Sequence, residues 1–240
     1  MSSSSEQAQV NINDVLKRAS ALSKDNNWTL VQGLLCILGI SLVVYWAFFS
    51  FYEIDLSSIE SLQINLSGTQ QVIMDMTLII ILAPLWTGVT MLAILYARNE
   101  KPSTSVMFAY INLLPLLAVA SGIVSVLVTV GFVLFVFPSF YFFTASTFAL
   151  PLIADKKCGP LQAIILSIQT TNKNLWPMLG LYTIFALSML LIPITFGLAY
   201  LWIGPLYFNA KAILYQDLFC DGQAVNYDNN TDKDKGIFNA

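Results

Sequence analysis

The sequence contains no histidine, and only 10% of its 240 residues are charged. Globular domains average about 25% charged residues, so this chain has too few to cover a water-exposed surface of ordinary composition. The lack of histidine removes the commonest general base and the commonest metal ligand. The three cysteines have no paired spacing, which predicts free thiols and no disulfide framework.

Motifs that carry catalysis are missing as well. The sequence shows no nucleophile motif, phosphate-binding loop, paired acids in an apolar run or metal-ligand spacing, and a reaction centre needs features of this kind. We therefore predict a protein that is not an enzyme and holds no cofactor. No nucleic-acid partner is expected.

Apolar residues are what the chain has in abundance: 57% of it is hydrophobic, and the mean hydropathy is +0.71. Residues 103–154 carry no charge and would form about 78 Å of helix, more than twice a hydrocarbon core of about 30 Å. They are predicted to form a hairpin with its turn at residues 129–132. Residues 174–210 are also uncharged and predict another hairpin, with its turn at residues 193–197.

The predicted architecture is an all-α integral membrane protein with six transmembrane helices arranged as three hairpins. The first two helices are placed at about residues 28–52 and 72–97, joined by a polar loop. A single membrane domain is expected at residues 11–220. Residues 1–10 and 221–240 are polar, so both are predicted to be disordered, the second as a cytoplasmic tail.

Two amphipathic helices are predicted to lie on the cytoplasmic surface of the membrane. The central one lies within residues 151–177. Polar residues that include Lys173 fall on one side of it, and the apolar side consists of Leu161, Ile164, Ile165 and Ile168. The second amphipathic helix begins at Ile12 and leads into the first transmembrane helix.

Basic residues orient this architecture. With six spans, all of them lie on or near one side of the membrane, which the positive-inside rule makes the cytoplasm. Both termini are then cytoplasmic. Basic residues beside the amphipathic helices are candidate contacts for anionic lipid headgroups, and the competing interpretation is that they only set the topology. These candidates are Lys17, Arg18, Lys24, Lys156, Lys157 and Lys173.

Three positions within the spans are candidates for a site at the membrane midplane. Pro84 and Pro205 each free a backbone carbonyl inside a helix, as the broken helices of transporters do. Asn112 is a polar amide within the third helix. The competing interpretations are tolerated kinks for the prolines and an interhelical hydrogen bond for the asparagine.

A set of short, mostly structural motifs lies along residues 10–220. They are Pro84-Leu85 with Gly88, Arg98 through Ser103, Pro138, Pro151 with Asp155, Ala163 with Ser167, Thr171 through Asn174, and Gly204-Pro205 with Tyr207 and Tyr215. Together they resemble blocks in a broad set of uncharacterised bacterial membrane proteins, which includes the membrane domain found on some glycerophosphodiester phosphodiesterases. The resemblance implies this helical fold and a place in the bacterial inner membrane. It carries over no phosphodiesterase activity, because none of these motifs belongs to the catalytic domain.

Two functional hypotheses follow from the sequence. The first is a non-enzymatic inner-membrane protein that engages membrane lipids, anionic ones in particular, in a role in envelope maintenance. The alternative is a small transporter or lipid-translocating protein with a midplane site. A polar cavity near Pro84, Asn112 and Pro205 would favour the alternative, and a dry, packed interior would favour the first hypothesis.

Overall fold

The computed structural model describes residues 10–52 and 67–220, and these residues form helices and turns without any β-strand. The two segments predicted to be disordered therefore lie almost wholly outside the described residues, as does most of the predicted loop between the first two spans. The helices are α1 (Ile12–Phe51), α2 (Gly68–Ala97), α3 (Leu114–Leu134), α4 (Val136–Ala145), α5 (Ala149–Lys156), α6 (Pro160–Lys173), α7 (Leu175–Met189), α8 (Leu191–Ile194) and α9 (Tyr200–Phe219), with a 3₁₀ segment (Thr104–Leu113) directly before α3.

Five helical stretches within the described ranges are long and apolar enough to cross a membrane. They are Ile12–Phe51, Gly68–Ala97, Thr104–Leu134, Val136–Lys156 and Leu175–Ile194. The chain is thus an all-helical protein of the membrane-spanning type. Helix α9, the last of the six predicted spans, is not among these five, and its second half contains Lys211, Gln216 and Asp217.

The first amphipathic segment is not a separate surface helix, contrary to the prediction. It continues without a break into the first span as the single 40-residue helix α1. The polar stretch between the two parts contains neither glycine nor proline, and Asn26 within it is buried and hydrogen-bonded inside the protein. The apolar residues Val15 and Ala19 are buried too. This segment therefore packs its apolar face on the protein.

The central amphipathic helix is present as α6. On its predicted apolar side Leu161 and Ile165 are exposed and Ile164 is buried. The buried positions are Ala163, Ile164, Ser167, Thr170 and Thr171. Ser167 orients this buried face, because its hydroxyl donates to the carbonyl of Ala145 at 2.7 Å and accepts from the amide of Phe148 at 3.2 Å. Both groups lie at the break between α4 and α5. Helix α6 therefore supplies hydrogen bonds that this break leaves open.

The two predicted turns differ in how closely the structure follows them. The first turn lies at Phe135, slightly beyond the predicted residues 129–132. Gly131 allows the two arms of this hairpin to pack closely just before the turn, because an added Cβ would lie only 2.8 Å from the backbone of the second arm. The second turn occupies residues 195–199 and overlaps the predicted residues 193–197, and Gly197 within it has a φ angle of 87°. A left-handed conformation of this kind favours glycine, which is why the sequence signal was strong there.

Helices α1 and α9 run antiparallel along the centre of the fold. Three contacts, in opposite order along the two helices, establish this: Arg18 with Asp217, Asn26 with Asn209, and Leu34 with Gly204. Helix α2 packs against both, and most of its C-terminal half is buried. The described part of the protein is therefore built around α1, α2 and α9, with α3 to α7 arranged beside them.

Candidate functional site

A polar cluster that the sequence did not predict as a unit joins three helix ends. The guanidinium of Arg98, directly after α2, donates two hydrogen bonds to the carboxylate of Asp155 in α5, at 2.9 and 2.8 Å. Tyr215 of α9 donates to the same carboxylate at 2.9 Å. The hydrogen bond to Asp155 raises the pKa of Arg98 above its ordinary value, so the guanidinium remains charged. All three residues belong to the motifs behind the family resemblance, which was the available signal.

A buried pair of amides links α1 and α9. The side chains of Asn26 and Asn209 donate to each other's oxygen at 2.7 and 2.9 Å, and both residues are completely buried. Asn209 also donates to the hydroxyl of Ser23 at 2.8 Å. An unpaired buried amide would cost about 1–3 kcal/mol. The pair therefore holds the two helices in register and leaves no polar group free for a ligand.

A cavity of about 470 Å³, which we call the aromatic cavity, lies between α2, α4, α5, α7 and α9. Six of its aromatic lining side chains are in contact with one another: Trp86, Phe143, Tyr182, Phe185, Tyr207 and Phe208. Their rings pack on one another: Trp86 stacks on Phe208 at 5.9 Å between ring centroids, and Tyr207 meets Phe185 edge-on at 5.4 Å. Such a wall is apolar and well supported, because each ring is held by its neighbours.

Helical spacing explains how these elements form one wall. On α9 the lining residues recur three or four positions apart and so share one face. They are Tyr200, Gly204, Tyr207, Phe208 and Lys211. The same spacing occurs on α7, whose lining residues are Tyr182, Phe185, Ala186 and Met189. Gly204 also lets α1 approach α9, because an added Cβ would lie 2.7 Å from the side chain of Leu34.

Lys211 is the only charged side chain among the described residues that line the aromatic cavity. It is half-buried, and within residues 10–52 and 67–220 no carboxylate lies at salt-bridge distance from it. The charge pattern of the sequence treats Lys211 as one more basic residue of the cytoplasmic side, whereas the structure places it in the cavity wall. Its position on the aromatic face of α9 is the signal that identifies it.

Several of the polar groups near the cavity are already paired. Thr90 donates to the carbonyl of Trp86 at 2.9 Å, and the hydroxyls of Tyr182 and Thr147 lie 3.1 Å apart. Recognition of a sugar, a peptide or a nucleotide requires several convergent polar groups. The aromatic cavity is therefore suited to a ligand that is mostly hydrocarbon.

The candidate midplane positions are only partly brought together. Pro84 and Pro205 are both buried, within α2 and α9. Each lies within two residues of a cavity-lining residue, Trp86 and Gly204 respectively. Asn112 lies on the 3₁₀ segment, is exposed, and does not line the cavity.

The basic residues predicted to contact headgroups divide into two groups. Arg18 donates two hydrogen bonds to Asp217 at 2.9 and 3.0 Å, and Lys156 donates to the carbonyl of Phe219 at 3.2 Å. Both acceptors lie at the end of α9, so these two side chains are at the same end of the bundle and are used within the protein. The remaining four are exposed. They are Lys17, Lys24, Lys157 and Lys173.

In comparisons with known proteins, no family model, no curated protein and no solved structure matches the chain. The family resemblance therefore stays a prediction, and the function has to be argued from the geometry of the site.

Proposed function

We propose that this protein is a non-enzymatic, lipid-engaging protein of the bacterial inner membrane, and that the aromatic cavity holds the hydrocarbon chain of a membrane lipid. The wall of the cavity carries the proposal. Its mostly aromatic and apolar lining favours a hydrocarbon ligand, and its volume of about 470 Å³ lies within the roughly 300–1,000 Å³ of typical ligand pockets. Envelope maintenance is the wider role that suits such a protein.

The proposal includes six transmembrane helices in three hairpins, with α9 as the sixth. Two polar residues of α9 that would oppose insertion have partners inside the protein: Asn209 pairs with Asn26, and Asp217 pairs with Arg18. Paired groups of this kind cost much less in hydrocarbon than isolated ones. Six crossings put both termini on the side that holds the basic residues, which the positive-inside rule makes the cytoplasm.

A small transporter or lipid-translocating protein is the second candidate, and Lys211 is the observation that favours it. An ionisable side chain within a transmembrane helix often marks the path of a substrate or ion. Pro205 lies within the same helix less than two turns before Lys211, and a proline there frees a backbone carbonyl of the kind that the broken helices of transporters use. Retention of a lipid ranks first, because the wall offers little for a polar substrate and Asn112 is not part of it.

Native mass spectrometry of the full chain, extracted from its own membrane in mild detergent, tests the proposal. We expect a lipid to remain bound. Ala186 lines the aromatic cavity and is itself exposed, so Ala186→Trp should fill the cavity without disturbing the core. The bound lipid should then be lost.

The matched control is Ile184→Trp, on the same helix. Ile184 is 43% exposed and does not line the cavity, so this variant should keep the lipid. If both tryptophan variants retain the same lipid, the lipid binds elsewhere and the proposal is wrong. A polar metabolite bound in place of a lipid would instead support the transporter.

A further inference from the structure

The charge in the wall allows the ligand to be defined more closely, on the assumption that the proposed function is correct. We propose that the aromatic cavity takes a long-chain fatty acid, with its carboxylate paired to the ammonium group of Lys211. Three observations carry this inference: the isolation of the lysine, the position of the charge along the cavity, and the volume of the cavity.

The first observation is that Lys211 lacks a counter-charge among the described residues. The acids on neighbouring elements are engaged elsewhere: Asp217 bonds to Arg18, and Asp155 bonds to Arg98 and Tyr215. An ammonium group in apolar surroundings is costly unless it is paired. An anionic ligand would supply the missing charge, and a neutral or cationic one would not.

The second observation concerns where the charge lies. The lining residues of α9 run from Tyr200 to Lys211, which is about 16 Å along the helix axis. Lys211 is at the end nearer to Tyr215 and its polar cluster, and the remainder of this face carries no charge. A ligand with a charged head and a hydrocarbon chain matches this polarity, with its head at Lys211 and its chain extending toward Tyr200.

The third observation is the size of the cavity. A cavity of about 470 Å³ lies within the roughly 300–1,000 Å³ of pockets that hold small ligands, a size class that suits a lipid with one long chain. A single ammonium also matches the single charge of a carboxylate.

Palmitate and hexadecanol are suitable probes, because they share a 16-carbon chain and differ in the charge of the head. Their binding to the full chain, in nanodiscs of phosphatidylcholine, can be followed by isothermal titration calorimetry. We expect palmitate to bind at least about tenfold more tightly than hexadecanol, the effect of one favourable ion pair. Lys211→Gln should remove this preference, and Lys211→Arg should retain it.

Two control variants separate the cavity from the surface. Lys101→Gln removes an exposed lysine that is not a candidate headgroup contact and should leave palmitate binding unchanged, whereas Ala186→Trp should abolish the binding of both probes. Thermal unfolding of each variant shows whether it remains folded. If Lys211→Gln fails to fold, the fatty-acid inference is still tested by comparing palmitate with hexadecanol on the unchanged protein and on Lys211→Arg.

The outcomes distinguish this inference from the proposed function. Equal binding of palmitate and hexadecanol, both blocked by Ala186→Trp, would overturn the fatty-acid inference and leave the lipid-engaging function standing. Tighter binding of hexadecyl phosphate than of palmitate would assign the site to a phosphate monoester and overturn the choice of carboxylate. If neither chain binds, or if Ala186→Trp has no effect, both proposals fail.

Discussion

The ion pair between Arg98 and Asp155 is expected to contribute measurably to stability, and Asp155→Asn tests this. The substitution keeps the shape of the side chain and removes its charge, so the guanidinium of Arg98 loses its charged partner. The carboxylate of Asp155 accepts two hydrogen bonds from Arg98 and one from Tyr215. The amide of the variant can accept only some of these. The three helix ends should therefore separate more easily.

The burial of the pair sets the size of the expected effect. Breaking a fully buried pair costs about 3–5 kcal/mol, whereas an exposed pair contributes about 0–1 kcal/mol. The side chains here are 29% and 17% exposed, so we expect Asp155→Asn to lower the free energy of unfolding by about 2–3 kcal/mol. Tyr215→Phe removes one hydrogen bond and keeps the packing of the ring, and should cost about 1 kcal/mol.

Equilibrium unfolding in mixed micelles, followed by tryptophan fluorescence, measures these differences. A double-mutant cycle with Arg98→Gln should give a coupling energy of about 1–2 kcal/mol. Asp14→Asn is the matched control: Asp14 also faces an arginine, Arg18, but at 3.5 Å and with 59% of its side chain exposed. Its loss should change stability by less than about 0.5 kcal/mol. If the Asp155 variant is no less stable than this control, the burial argument is refuted.

Two further substitutions test the packing. Gly88→Ala should destabilise the protein by several kcal/mol, roughly the cost of overpacking a core, because a Cβ there would collide with the backbone of Met107. Gly122→Ala is the control and should not destabilise the protein, because an added Cβ there meets nothing within 4 Å. Equal unfolding midpoints for the two variants would contradict the close approach of Gly88 to Met107. Ser167→Ala should cost about 1–3 kcal/mol by leaving the carbonyl of Ala145 and the amide of Phe148 without their partner. Ser188→Ala is its control, since Ser188 only donates to a carbonyl of its own helix, and hydrogen exchange at Phe148 should rise in the Ser167 variant alone.

The helical class and the second turn could be predicted because their causes are local. An uncharged run that is longer than the bilayer is thick must fold back on itself. At the second turn, Gly197 tolerates the left-handed backbone conformation. The continuity of α1 could not be predicted, because it depends on Asn26 finding Asn209 far along the chain. A polar stretch favours a break in a helix when its side chains must reach water. That reason disappears here, because Asn26 has a hydrogen-bond partner inside the protein.

The face that α6 packs on the protein also depends on partners elsewhere in the chain. Periodicity groups the apolar residues of an isolated helix on one side, but it does not identify the residues that pack on the rest of the protein. In a membrane, Leu161 and Ile165 lose nothing by facing lipid, whereas Ser167 gains two hydrogen bonds by facing the break between α4 and α5. Within hydrocarbon, therefore, hydrogen-bonding need decides which face of a helix turns inward.

Lys211 shows why counting charges could not locate the candidate site. The positive-inside rule assigns a lysine to one side of the membrane, but it does not give the depth, because the long side chain can extend toward the interface from a buried backbone position. Depth and surroundings depend on the residues that share its helix face. Tyr200, Gly204, Tyr207 and Phe208 precede Lys211 on one face of α9, so its charge stands at the end of an aromatic stripe. In the sequence alone this stripe is equally compatible with a packed core, and only the space between α9 and α7 makes it a cavity wall.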